Sequence, residues 1–200
     1  MRRSVEVRIL LNSTIEPGCD IHESVKIGDY VVIKTGTRIG ANTLINDLSH
    51  IGGVSFSLSR GKDAWRVKKH SGGVIIGKNV TINNSVTIHR GFSGDTIVGD
   101  GTAINASTIV GHDVHVGRRC QINSHVFLSG HVKVGDDVVI EPGVVVQHRV
   151  KIGDKAHVGI GSLVMKDVAS GVTVMGRPAV TQFEFRQTRK KQRELGIIWA

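Results

Sequence analysis

The sequence predicts an all-β fold, a parallel β-helix, and three observations carry that prediction. Aliphatic residues recur at intervals of six from Val98 through Ile104, Val110, Val116, Ile122, Leu128, Val134, Ile140, Val146, Ile152 and Val158 to Val164. The residue four places after each is small or branched, from Thr102, Thr108, Val114 and Cys120 through Val126, Val132, Val138, Val144 and Val150 to Ala156 and Ser162. Neither the helical period of 3.6 nor strand alternation fits both series, whereas a chain that turns a corner every six residues does. Finally, only 4% of the residues are aromatic, which suits a narrow prism of stacked coils with three six-residue sides per coil.

Taken in order, the 200 residues suit a single domain. A first ladder runs through Ile9, Ile15, Ile21, Ile27, Ile33, Ile39, Ile45 and Ile51. The interval to the next member, Ile76, is 25, and residues 52–73 lack the motif. This inserted loop holds Trp65, one of two tryptophans, and loops of such length commonly serve as lids or binding loops. Hexads resume at Ile76, Ile82 and Ile88, but Val98 then follows after ten residues, so a phase break over 89–97 must bulge from one side. Twelve hexads from Val98 to Val164 make about four coils. Residues 166–179 leave the ladder as a closing loop. Residues 181–195, free of proline and glycine, predict an exposed α-helix with Phe183 and Phe185 as its packing face, capping the last coil. The expected organisation is a β-helix domain over 1–180 and a helical cap over 181–200.

The formal charge of +9 favours an acidic partner such as nucleic acid, an anionic membrane, a nucleotide-bearing metabolite or an acidic carrier protein. Arg60, Lys62, Arg66, Lys68 and Lys69 concentrate it in the insertion, and Arg186, Arg189, Lys190, Lys191 and Arg193 near the C-terminus. Aromatic residues do not interleave these segments, which argues against a nucleic-acid partner. No apolar run approaches 18 residues and no signal-peptide core follows Met1, so a cytoplasmic protein without a membrane span is expected. Cys19 and Cys120 both fall at inward small positions and read as buried wall residues rather than a disulfide.

Three segments resemble the bacterial UDP-3-O-acylglucosamine N-acyltransferases of lipid A synthesis. They are Gly61-Lys62-Asp63-Ala64-Trp65-Arg66-Val67 with Gly73-Val74-Ile75-Ile76-Gly77, then Thr87-Ile88-His89-Arg90-Gly91 through Asp95-Thr96-Ile97-Val98-Gly99, then Val110-Gly111-His112-Asp113-Val114. The resemblance implies a left-handed β-helix, an exception to the usual crossover hand, assembled as a homotrimer with sites between subunits. It also implies that His112 is the catalytic histidine. The chain departs from the family in having His89 where an aspartate is usual, and in offering no residues for the family's N-terminal uridine-binding domain. The closing run, with Gly161-Ser162-Leu163-Val164-Met165-Lys166 and Gly176-Arg177-Pro178-Ala179, is more similar to acetyl-CoA-dependent sugar acetyltransferases.

Acyl transfer from a thioester needs a base, an oxyanion donor and a groove for both substrates. A histidine, ordinarily titrating near pH ~6.5, suits the first task, and His112 is the catalytic candidate. A coil of 18 residues stacks His112, Gly130, His148 and Lys166 in one column, with His148 expected about 10 Å and Lys166 about 14 Å from His112. In this reading Gly130 leaves room for a pantetheine arm and offers its N–H to the oxyanion, Lys166 meets the donor phosphates, and His148 binds donor or orients substrate. The neighbouring column sets His131 over Asp113, where the two could pair, with Asp113 read as a solvated corner carboxylate. Trp65, His89 and Arg177 complete the candidate binding residues, and no metal ligands are assigned.

The expected function is transfer of an acyl group from acyl-CoA or acyl carrier protein to the amine of a nucleotide-linked amino sugar. The donor serves as co-substrate and no cofactor is permanently bound. The alternatives are a sugar O-acetyltransferase, a γ-type carbonic anhydrase-like metal enzyme using His89, His125 and His131, and a non-catalytic scaffold.

Overall fold

The computed structural model describes residues 8–9, 12–176 and 182–196, with the side chains of 12–176 and 186–196. Each hexad contributes a short strand and a corner, and the strands stack into three parallel sheets of nine, eight and seven. The first sheet runs from Arg8–Ile9 to Thr173–Val174, the second from Thr14–Ile15 to Leu163–Val164, and the third from Asp20–Ile21 to Lys151–Ile152. The chain visits them in that order on every coil. Val98 therefore lies on Val116, Ile104 on Ile122 and Val110 on Leu128.

Corners repeat as faithfully as strands. Ser107, Asp113, Arg119, His125, His131, Asp137, Arg149 and Lys155 all have φ between 55° and 66°, and Gly101, Gly143 and Gly161 fill the same phase. Left-handed backbone at a non-glycine residue costs about 1–2 kcal/mol, so the ladder of buried aliphatics must enforce these corners. Ile104, Ile122, Ile140 and Leu128 are at most 1% exposed. The small series fills the remaining interior and stitches coils together. Thr102 Oγ1 donates to the Gly117 carbonyl at 2.8 Å and accepts from the Cys120 N–H at 3.1 Å. Cys19 and Cys120 are free thiols, and burial pushes both thiols above their ordinary pKa.

Ile122→Ala removes a fully buried side chain from a rung that has no room to collapse, so unfolding in guanidinium should show a loss of about 2–5 kcal/mol. The outward neighbour Gln121→Ala should stay within about 0.5 kcal/mol of the parent.

Both irregularities leave the same edge of the prism, the corner between the second and third sheets. Across the insertion, Ile39, Ile45 and Ile51 stack on Ile76, Ile82 and Ile88, an offset of 37 where a coil takes 18. Across the phase break the offset is 22, as in Ile76 on Val98 and Ile88 on Val110. The extra 19 and 4 residues are thus accommodated at one corner while the inward aliphatics stay stacked, and the pairing slips only past them, in a bulge between Ile88 on Ile51 and His89 on Gly53. The strand before the insertion persists to Gly53, and the inserted chain forms an antiparallel hairpin of Leu58–Arg60 with Trp65–Val67. The phase break is narrower than 89–97, because Thr87–His89 and Thr96–Val98 are strands. A helix spans Gln182–Glu194. Arg177, Phe183 and Phe185 lie outside the residues whose side chains are described. Among the described residues no helix is long and apolar enough to cross a membrane.

Candidate active site

The corner between the second and third sheets gathers five of the chain's ten histidines, His70, His89, His112, His131 and His148. His112 follows Ile109–Val110, His131 follows Phe127–Leu128, and His148 follows Val145–Val146. The rings of His112 and His131 meet edge to face at 5.0 Å, those of His131 and His148 at 5.1 Å, and His112 stands 6.2 Å from His148. The last separation is well short of the 10 Å that coil spacing alone suggests. Gly130 explains it, since the coil between the two histidines has no side chain in that column. A Cβ on Gly130 would lie 2.5 Å from His112 Nε2 and 2.7 Å from its Cε1. The space above Gly130 is therefore filled by the His112 ring, a correction to the expectation that it is left for a pantetheine arm.

Asp113 departs furthest from its expected role. It is 7% exposed and not a solvated corner carboxylate. Its carboxylate accepts from the N–H groups of Phe92 at 2.6 Å, Ser93 at 3.0 Å and Gly94 at 2.8 Å, and from the Ser93 hydroxyl at 3.0 Å. The four extra residues of the phase break thus form a backbone nest around one anion. The fifth bond comes from His112 Nδ1 at 2.8 Å, so the partner of Asp113 is its chain neighbour. The expected pairing with His131 is replaced because both carboxylate oxygens are already engaged by the 92–94 loop and His112. Burial acts to raise the Asp113 pKa, but the bonds from Gly94, His112, Phe92 and Ser93 outweigh it and hold the carboxyl well below its usual range. With Asp113 ionised, the proton of a neutral His112 sits on Nδ1 and Nε2 is left as the acceptor.

The insertion adds a wall that sequence reading missed. His70 is 8% exposed, and its ring stands 6.2 Å from His112 and 5.3 Å from Phe92. Its Nδ1 donates to the Lys68 carbonyl at 2.9 Å, which leaves Nε2 to accept from the Ser55 hydroxyl at 2.8 Å. Phe92 in turn stands 6.1 Å from His112. Counting by 18 fails across the insertion and the break, so neither residue falls in the His112 column. Removing the 19 and 4 extra residues from the count would have revealed the shared corner. The insertion returns to the prism along the phase break, through Ser71 N–H to Phe92 O and Gly72 N–H to Gly91 O, both 3.1 Å. Gly72 and Gly91 must be glycine there, since a Cβ on either would fall within 1.8 Å of the Gly94 carbonyl oxygen.

Other candidates stand apart from the rings. Trp65 is 64% exposed on the hairpin. Lys166 is exposed on the last described coil, in a shallow cleft with Met165 and Met175. His89 is half-buried near the site, and burial, followed by the charges of His50, His112 and His70, lowers its pKa. Burial likewise leads the lowering at His50, His131 and His148. His125, weighed as a metal ligand with His89 and His131, is exposed on a different corner, between the first and second sheets.

These four lowered histidines have a consequence for stability. The unfolded chain takes up their protons below pH ~6.5 while the folded chain resists, so their contribution is complete above that pH and is lost on acidification. The melting temperature should fall between about pH 7.5 and pH 5.5, more steeply than in a His89→Asn variant. An unchanged slope in that variant would refute the assignment.

Residues 131–166 match the family described as bacterial transferase hexapeptide (six repeats). The UDP-3-O-acylglucosamine N-acyltransferase of Polynucleobacter asymbioticus is 34% identical over 112 residues, 54% of this chain and 32% of that protein. Its counterpart in Ectopseudomonas mendocina is 32% identical over 103 residues, 52% of this chain and 26% of that protein. The chain thus spans about a third or less of the length of these relatives. Among solved structures, the UDP-N-acetylglucosamine O-acyltransferase of Moraxella catarrhalis RH4 superposes with a TM-score of 0.71 at 25% identity, covering 90% of this chain and 77% of that one. LpxA from Acinetobacter baumannii gives 0.70 at 26% identity, covering 92% and 77%. Repeat, fold and relatives together make this chain a hexapeptide-repeat β-helix homologue of the bacterial acyltransferases, related through about half its length to the UDP-3-O-acylglucosamine N-acyltransferases.

Proposed function

We propose that the chain transfers an acyl group from acyl-CoA or acyl carrier protein to the amine of a nucleotide-linked amino sugar, with His112 as general base. The observation that carries this reading is the Asp113-held His112, whose Nδ1 is engaged at 2.8 Å and whose Nε2 lies over Gly130. In the reaction Nε2 takes a proton from the attacking amine as its nitrogen bonds to the thioester carbonyl carbon. The Gly130 N–H serves the resulting oxyanion. Collapse of the intermediate breaks the C–S bond, and the imidazolium returns its proton to the thiolate. Asp113 stabilises that imidazolium without accepting its proton. His148 and Lys166 continue the column as the donor track, and Trp65, His89, His131 and Arg177 contact substrate. The working form is a cytoplasmic homotrimer.

A second reading is O-acylation of a sugar hydroxyl, favoured by the Moraxella catarrhalis enzyme, whose name specifies that reaction and which covers 90% of this chain. A thiol-release assay with acyl-CoAs and acyl carrier proteins, against UDP-sugars bearing a free amine or only hydroxyls, tests both. An amide product survives mild hydroxylamine and an ester does not. No thiol release with any pair would overturn both readings.

Gly130→Ala offers a sharper check on the geometry. The new methyl would displace the His112 ring, and misplacement of a catalytic group by about 1 Å can cost up to 10²-fold in rate. The same assay should show turnover falling by about that factor at unchanged melting temperature.

A further inference from the structure

Beyond acyl transfer, we propose that His112, His131 and His148 form a binding site for a divalent transition-metal ion of the zinc type, and that the bound ion withholds His112 from proton transfer. The binding half stands alone; the inhibitory half rests on the role of His112 proposed above.

Zinc–nitrogen bonds of about 2.0–2.1 Å put each imidazole centroid about 3.2 Å from the ion, so rings in tetrahedral positions stand about 5 Å apart. The separations of 5.0 Å for His112 with His131 and 5.1 Å for His131 with His148 already meet this. The third, 6.2 Å, would close by rotation of His148, whose side chain is exposed. Donor atoms of His112, Asp113 and His131 lie within 4.8 Å of one another, a group that His148 joins only once its ring has turned.

Asp113 is not the third ligand, because both its oxygens are engaged by the 92–94 loop and His112. It stands behind the site, bound to His112 Nδ1 so that Nε2 faces the ion, the arrangement that orients and strengthens metal-ligating histidines. Three neutral nitrogens suit zinc-type ions and not magnesium or calcium, which take oxygen ligands. The fourth position would be filled by water. Nε2 of His112 has one lone pair, so a bound ion and a substrate proton exclude each other.

Calorimetric titration of the full chain with Zn²⁺, without substrates, should give one site per chain, weakened at least about tenfold in His131→Asn and in His148→Asn. His125→Asn, on another corner, should bind as the parent does. X-ray absorption at the zinc edge of the parent should show imidazole scattering from three rings. Absence of binding, parental affinity in both cluster variants, or loss in His125→Asn would overturn the site. Circular dichroism confirms that each variant is folded. In the thiol-release assay Zn²⁺ should inhibit and a chelator should restore the rate. Full turnover with the ion bound would overturn the inhibitory half, whereas absence of turnover under all conditions would count against the acyltransferase reading and leave the titration standing.

Discussion

His112→Ala is expected to lower the rate of thiol release by about 10²–10⁴, the range over which a positioned general base acts. The loss should appear in kcat more than in KM, because the imidazole does its work on the proton that moves in the transition state. The His112 side chain is 18% exposed and lies over Gly130 rather than in the prism. Its removal leaves the rungs untouched, so the melting temperature should hold within a few degrees. His112→Gln keeps the bulk and a hydrogen-bonding group but cannot take the proton, and should be nearly as slow. Turnover close to the parent in either variant would remove His112 from the mechanism.

Asp113→Ala is expected to be the most damaging single change at this corner. It strips the partner from three backbone N–H groups, the Ser93 hydroxyl and His112 Nδ1 at once. Each buried donor left without an acceptor costs roughly 1–3 kcal/mol, so a loss of about 3 kcal/mol or more is expected in denaturant unfolding. Hydrogen exchange should localise the damage, with faster exchange at Phe92, Ser93 and Gly94 and little change on the rungs. Activity should fall as well, since the imidazole loses the carboxylate that sets its tautomer. Asp113→Asn, which retains one acceptor oxygen, should lie between. Acid mimics the substitution. With its pKa held low in the folded state, the contribution of Asp113 is complete above about pH 4 and is lost as the pH falls below that value. Exchange at 92–94 as slow as in the parent would show that the carboxylate does not hold the loop.

The prism was legible from its repeat because each rung depends only on its neighbours. The inward series needed no long-range information, and Val98 to Val164 fall at the phase the structure shows. The His112 column was legible for the same reason, since no break lies between Val110 and Lys166. Asp113 was misread because its partners are the backbone N–H groups of Phe92, Ser93 and Gly94, one coil earlier, and a main-chain donor leaves no mark on residue identity. His70 and Phe92 were missed because two changes of chain length separate them from any simple count. The distance to His148 was overestimated because stacking geometry fixes Cα positions, whereas rings lean across an empty glycine.

The inward aliphatics stay stacked whether 18, 22 or 37 residues separate them. The stacking of the ladder is therefore uncoupled from the length of chain at this one corner, much as a handle is uncoupled from the interchangeable head that it carries. Segments of other sizes grafted at the tip of the hairpin, between Arg60 and Trp65, would alter what the chain presents while sparing both the ladder and the 92–94 loop that holds Asp113.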